Sequence, residues 1–153
     1  MNRYLRSIIA GFVATVVLSA LMLMKSAMGL MPALDIVKML TGVAHGMMGL
    51  PDNLAVGWII HFMIGTVLWG VLFALLYGWL PGRGAVTKGL VFATFAWLVM
   101  MVIAMPMAGV GLFGMKLGIM APVMALILHW IWGAVLGAVF GWLGSDEPVV
   151  AAR

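Results

Sequence analysis

The sequence predicts an all-α membrane protein with four transmembrane helices in an up-down-up-down bundle, and three observations carry that prediction. Of its 153 residues 66% are apolar and only 8% are charged, with a mean hydropathy of +1.25, far from the composition of a water-soluble domain. The apolar residues fall into four runs, each near the roughly 20 residues that one bilayer crossing needs. Proline, glycine and charge collect between the runs, where chain breakers belong. A single bundle over residues 1–153 is therefore expected, rather than two domains.

The first span is expected over about 7–30. Arg3 and Arg6 before it resemble a secretory leader, but the run exceeds a typical leader core and has no clean small-x-small cleavage site, so it reads as an uncleaved helix. The longest connection, about 31–53, holds Pro32 and an amphipathic stretch from Leu34 to Leu40. It reads as a short helix lying in the outer interface. The second span, about 57–80, ends at the turn Pro81-Gly82-Arg83-Gly84, and the third covers about 86–108. The glycine-rich loop 109–118 is weakly polar, and entry into the membrane would require shielding of its backbone by helices. The fourth span, about 119–143, leads to a tail with Ser145, Asp146, Glu147 and Pro148.

Charge and aromatic position orient these spans. Arg3, Arg6, Arg83, Lys88 and Arg153 fall on one side, and Lys25, Lys38 and Lys116 on the other. The excess in short loops puts both termini in the cytoplasm. Trp58 then marks the outer interface, and Trp79 and Trp142 the inner one, as an aromatic belt does. The net charge of +4 is spread singly at helix ends, so no nucleic-acid-binding patch is formed. Lys25, near the outer end of its helix, is expected to snorkel to water.

The halves of the chain echo each other. His61-Phe62-Met63-Ile64-Gly65 resembles His129-Trp130-Ile131-Trp132-Gly133, and both helices close on Gly-Trp-Leu. Gly11 to Thr15 and Gly89 to Thr94 correspond likewise, which predicts a tandem two-helix repeat with an axis along the membrane normal. The distance from His to Gly-Trp-Leu is five residues shorter in the fourth helix.

Small residues recur every fourth position at Ser7, Gly11, Thr15 and Ser19, and at Gly133, Gly137 and Gly141. Each row shares one helix face and allows close backbone approach in lipid, either within the chain or against a second copy or partner. His61 and His129 stand four residues before Gly65 and Gly133. An imidazole at membrane depth needs a polar partner, supplied either by a neighbouring helix or interfacial water or by a bound group at a functional site. Two such histidines, with glycines making room for a porphyrin, are the ingredients of a bis-histidine haem b site for electron transfer. Their offset of about 7.5 Å in depth argues against it.

Apart from Met1, every methionine falls in 22–63 or 100–124, the outer half, together with His45, His61 and His129. Met22, Met24, Met105, Met107, and Met47 and Met48 beside His45 are the soft thioether and imidazole donors that Cu(I) prefers. The competing reading makes methionine an adaptable packing residue around a lipid tail, quinone or partner helix.

Several chemistries are excluded. No Asp, Glu or Arg lies in a span, which argues against a proton-coupled transporter, voltage sensor or carboxylate-lined channel. No acid/base pair or Ser-His-Asp set is present, so no enzyme is expected. Cysteine is absent, removing disulfides and thiolate chemistry. Gly109-Val110-Gly111-Leu112-Phe113-Gly114 matches a dinucleotide fingerprint but follows a membrane span rather than a strand, so it is a chance match.

Four spans, His-x-x-x-Gly in the second and fourth, and a methionine- and glycine-rich outer loop resemble the small uncharacterised bacterial membrane proteins grouped as domains of unknown function. The resemblance implies this fold and no established activity; a bacterial inner-membrane location is expected. The expected function is a non-enzymatic membrane protein whose outer half binds an apolar ligand or partner, as an accessory subunit of a larger membrane assembly or a homo-oligomer. Haem b and Cu(I) are the alternative cofactor readings.

Overall fold

The computed structural model describes residues 1–144. The tail residues Ser145, Asp146, Glu147 and Pro148, and Arg153 in the charge count, lie outside the described residues. Every regular element among those described is helical. In chain order these are α1 (Arg3–Ala27), α2 (Ile36–Met48), α3 (Leu54–Leu76), α4 (Ala85–Met107) and α5 (Met120–Trp142). All but α2 are long and apolar enough to cross a membrane.

Caps shift the ends from the hydropathy boundaries. Helix α1 begins four residues earlier than the apolar run, because the Asn2 side chain accepts the Leu5 N–H at 2.9 Å. It stops at Ala27, and Gly29 follows in the left-handed region with φ 67°. Asn53 starts α3 at Leu54 by accepting the Ala55 N–H at 2.8 Å. Because α3 ends at Leu76, Gly78-Trp79-Leu80 lies beyond it and Trp79 is 89% exposed.

Helix α2 is longer than the amphipathic stretch suggests. Asp35 caps its start through the Lys38 N–H, and it continues through Gly42 and Gly46 to a left-handed Gly49. It buries Val37, Thr41 and Ala44, and the Val37 carbonyl and Thr41 hydroxyl rest on Gly57 of α3. This helix is docked on α3.

Helix α1 packs between α3 and α5, α5 packs along α4, and α3 meets α4 only sparsely. The close approaches use the small residues. Gly11 faces the backbone of Gly65 and Thr66, Gly70 faces Ser7 and Ile8, and the Ser7 hydroxyl donates to the Gly70 carbonyl at 2.6 Å. On the other side Gly89 faces Gly133 and Gly137, Gly133 faces Gly89 and Ala93, Gly137 faces Ala85 and Val86, and Gly141 approaches Ala85. Both rows, including buried Thr15 and Ser19, are thus used inside the chain, where they supply the packing that apolar burial cannot supply in lipid.

One core cluster centres on Phe73, Phe92, Leu136 and Phe140 with Trp132 at its edge. Phe73 sits 5.2–5.4 Å from Phe92, Phe140 and Tyr77, centroid to centroid. A second cluster holds Leu34, Met101, Met105 and Ala125. Between the two, Trp132 donates to the Thr15 hydroxyl at 3.2 Å. Thr15→Val keeps the shape but orphans that indole N–H, and should cost about 1–2 kcal/mol in a chemical unfolding titration in mixed micelles.

Two turns depart from the α-helix. Residues Met63–Leu68 of α3 and Met100–Ala104 of α4 form π-helical turns, a feature frequent at functional sites. In α4 the turn precedes Pro106, which has no N–H for the Val102 carbonyl. The loop after α4 forms a 3₁₀ turn, Leu112–Leu117. Its Gly114 rests near the Met105 sulfur, and Phe113 meets Trp97 at 5.7 Å, so helix side chains cover this loop.

Candidate functional site

Where α3 and α4 part, a cavity of about 430 Å³ opens. Walls come from all four long helices, and the start of α2 with Pro32 and Leu34 closes one end. Its lining is almost wholly apolar, with tryptophans 58, 69 and 132 among it. The polar groups are few: His61, His129, Thr15, Ser26, Lys25 and Asp35.

Lys25 does not snorkel. It is buried, and its ammonium donates to the carbonyls of Leu30 at 3.2 Å, Met31 at 3.0 Å and Leu34 at 2.9 Å. Past the end of α1 at Ala27, these carbonyls lie outside any helix, and those of Leu30 and Leu34 need a donor, while that of Met31 also accepts the Leu34 N–H. The lysine therefore fastens the segment that closes the cavity. An apolar run interrupted by one lysine a few residues before Pro32 was the sequence signal for this role. Asp35 is likewise engaged, by the Lys38 N–H at 3.1 Å and its ammonium at 3.4 Å.

His61 and His129 line the same cavity. His61 Nε2 lies 3.3 Å from Ser19 Oγ, which in turn donates to the Thr15 carbonyl at 2.7 Å. His129 Nδ1 donates to the Ala125 carbonyl at 2.8 Å. Trp58 and Phe62 hold the His61 ring edge-on, each at 5.8 Å. Of the glycines paired with these histidines, Gly65 lines the cavity but its free side is filled by Thr15, and Gly133 faces α4. Both glycines serve helix contact.

The methionines disperse. Met22 and Met100 line the cavity. Met105 is buried in the second core cluster, and Met24, Met48 and Met107 are largely exposed. Met47 and Met107 share a shallow groove beside Gly42 and Gly46. His45 Nδ1 donates to the Leu50 carbonyl at 2.8 Å and helps end α2. Among the described residues no three His, Cys, Asp or Glu converge, so a metal in the cavity would rest on two imidazoles and thioether sulfur. Sequence reasoning did not single out Trp69 as a cavity residue, because the gap between α3 and α4 that it lines leaves no mark in hydropathy.

Fold and site together define a multi-pass helical membrane protein with an apolar cavity between its helices. The chain belongs to a family of unknown function, DUF6789, whose model matches residues 1–150. No curated protein and no solved structure matches it.

Proposed function

We propose that this protein is a non-enzymatic, ligand-holding membrane protein of the bacterial inner membrane, a small subunit of a larger assembly, that takes an apolar molecule from the bilayer into its outer half. The observation that carries this reading is the cavity: its 430 Å³ lies within the roughly 300–1,000 Å³ of small-molecule sites, and it combines apolar walls with few polar groups. The sparse contact between α3 and α4 gives such a molecule a lateral route from lipid.

The topology belongs to the same reading. Arg6 donates to the Phe140 carbonyl and Lys88 to the Tyr77 carbonyl, which gathers basic residues where α1 begins and α3 and α5 end; that supports an up-down-up-down bundle with cytoplasmic termini. The paired contacts Gly11 with Gly65 and Gly89 with Gly133 support the tandem two-helix repeat.

Bis-histidine haem b is the second reading, favoured by two imidazoles on one cavity. It requires His61 to release Ser19 and α5 to move from α4. Cu(I) held by Met22, Met100, His61 and His129 is the corresponding metal reading. One detergent-purified sample separates them by solvent extraction with mass spectrometry, absorption spectroscopy and elemental analysis. The proposal expects a near-stoichiometric apolar molecule without a Soret band or stoichiometric metal. A Soret band lost in His61→Ala or His129→Ala would establish haem, and copper without that band would establish the metal site.

A further inference from the structure

We infer that the molecule held in this cavity carries a neutral, hydroxyl-bearing ring of the hydroquinone class, whose hydroxyls donate to His129 Nε2 and His61 Nδ1. The inference rests on the apolar-ligand reading above and adds the chemistry of the head group.

The argument is a count of protons. A carbonyl only accepts, so the 2.8 Å contact with Ala125 puts the hydrogen of neutral His129 on Nδ1 and leaves a lone pair on Nε2. Ser19 has one hydroxyl proton, and the Thr15 carbonyl at 2.7 Å takes it. Ser19 Oγ therefore accepts from His61 Nε2, and the lone pair of His61 falls on Nδ1. Among the described residues, no protein group bonds either remaining nitrogen. The cavity offers two acceptors, and a ligand satisfies them only by donating.

Charge narrows the class further. All three protons of the Lys25 ammonium are taken by carbonyls, so no free cation awaits a phosphate or carboxylate head. Asp35 is paired with Lys38, so no free anion awaits an amine. A flat ring suits walls that include Trp58, Trp69 and Trp132. Its tail leaves between α3 and α4, where the π turns supply Ile64, Leu68, Met100 and Ala104 to the wall.

The oxidised ring is the discriminating ligand. A quinone presents only acceptors and would face two lone pairs. Turning the His129 tautomer to donate sacrifices the Ala125 bond. Binding alone is inferred, with no electron transfer.

The test titrates the full-length protein in detergent with three probes of one tail length: a benzoquinol kept reduced, its benzoquinone, and an alkylbenzene without polar groups. Half-saturation is read from tryptophan fluorescence. The quinol should half-saturate at a concentration roughly tenfold or more below the quinone. His129→Leu should shrink that preference at least threefold; Ser19→Ala, which frees the His61 tautomer, should narrow it as well. Equal or tighter quinone binding overturns the head-group assignment while alkylbenzene binding keeps the apolar-ligand reading. Displacement of the quinol by equimolar anionic phospholipid overturns the assignment too. Failure of all three probes overturns both.

Discussion

Gly133→Val destabilises the protein by about 3 kcal/mol or more, the largest effect expected of any single substitution here. A side chain at this position runs into the Gly89 backbone and the Ala93 Cβ. Backbone cannot rotate away as a flexible side chain can, so α5 must lift off α4, and in lipid no hydrophobic gain offsets the lost contact. Gly46→Ala is the control. No atom lies within 4 Å of the added carbon, and replacing a mid-helix glycine of α2 should stabilise by about 0.5–1 kcal/mol. Chemical unfolding in mixed micelles reads both, and a small cost for Gly133→Val would show that the α4 and α5 contact is not as tight as described.

Lys25→Met removes a donor shared by three carbonyls, at an expected cost of about 2–4 kcal/mol. The side-chain stem is kept, so the loss falls on the carbonyls of Leu30 and Leu34, while that of Met31 keeps the Leu34 N–H. Leu34 is 4% exposed and lines the cavity, so its segment should loosen before the helices do. Ligand release should quicken in this variant, measured as dissociation after dilution, alongside the drop in stability. Lys25→Arg should not restore either property, because a planar guanidinium does not reproduce the three-way geometry of an ammonium.

The spans were legible because lipid demands long apolar helices, and no other signal competes with that demand. Their ends were less so: Asn2 and Asn53 start helices residues before hydropathy rises, and α3 stops short of the Gly-Trp-Leu that ends its apolar run. The glycine spacing pointed to close approach without saying which helix would fill each row; only the pairing of α1 with α3 and of α5 with α4 does that. His61 and His129 stood out as imidazoles in apolar runs, yet their common cavity depends on α3 and α4 separating at two π turns, a tertiary property absent from any local pattern. Lys25 was misread because charge near a helix end ordinarily reaches water, and here folded-back carbonyls reach it first. The methionine bias identified a half of the molecule, but thioethers adapt to many neighbours, and the side chains scatter over two clusters, a groove and exposed surface.

Native mass spectrometry of the protein released from its own membranes, compared with Ala104→Phe, tests the central claim most directly. Ala104 lines the cavity yet is exposed, so a phenyl ring there fills space without straining the helix contacts. The wild-type chain should carry one apolar adduct of defined mass, and Ala104→Phe should lose it while unfolding at an unchanged denaturant concentration. An adduct-free wild-type chain, or an adduct that persists at full occupancy in the filled variant, would contradict a ligand held between α3 and α4.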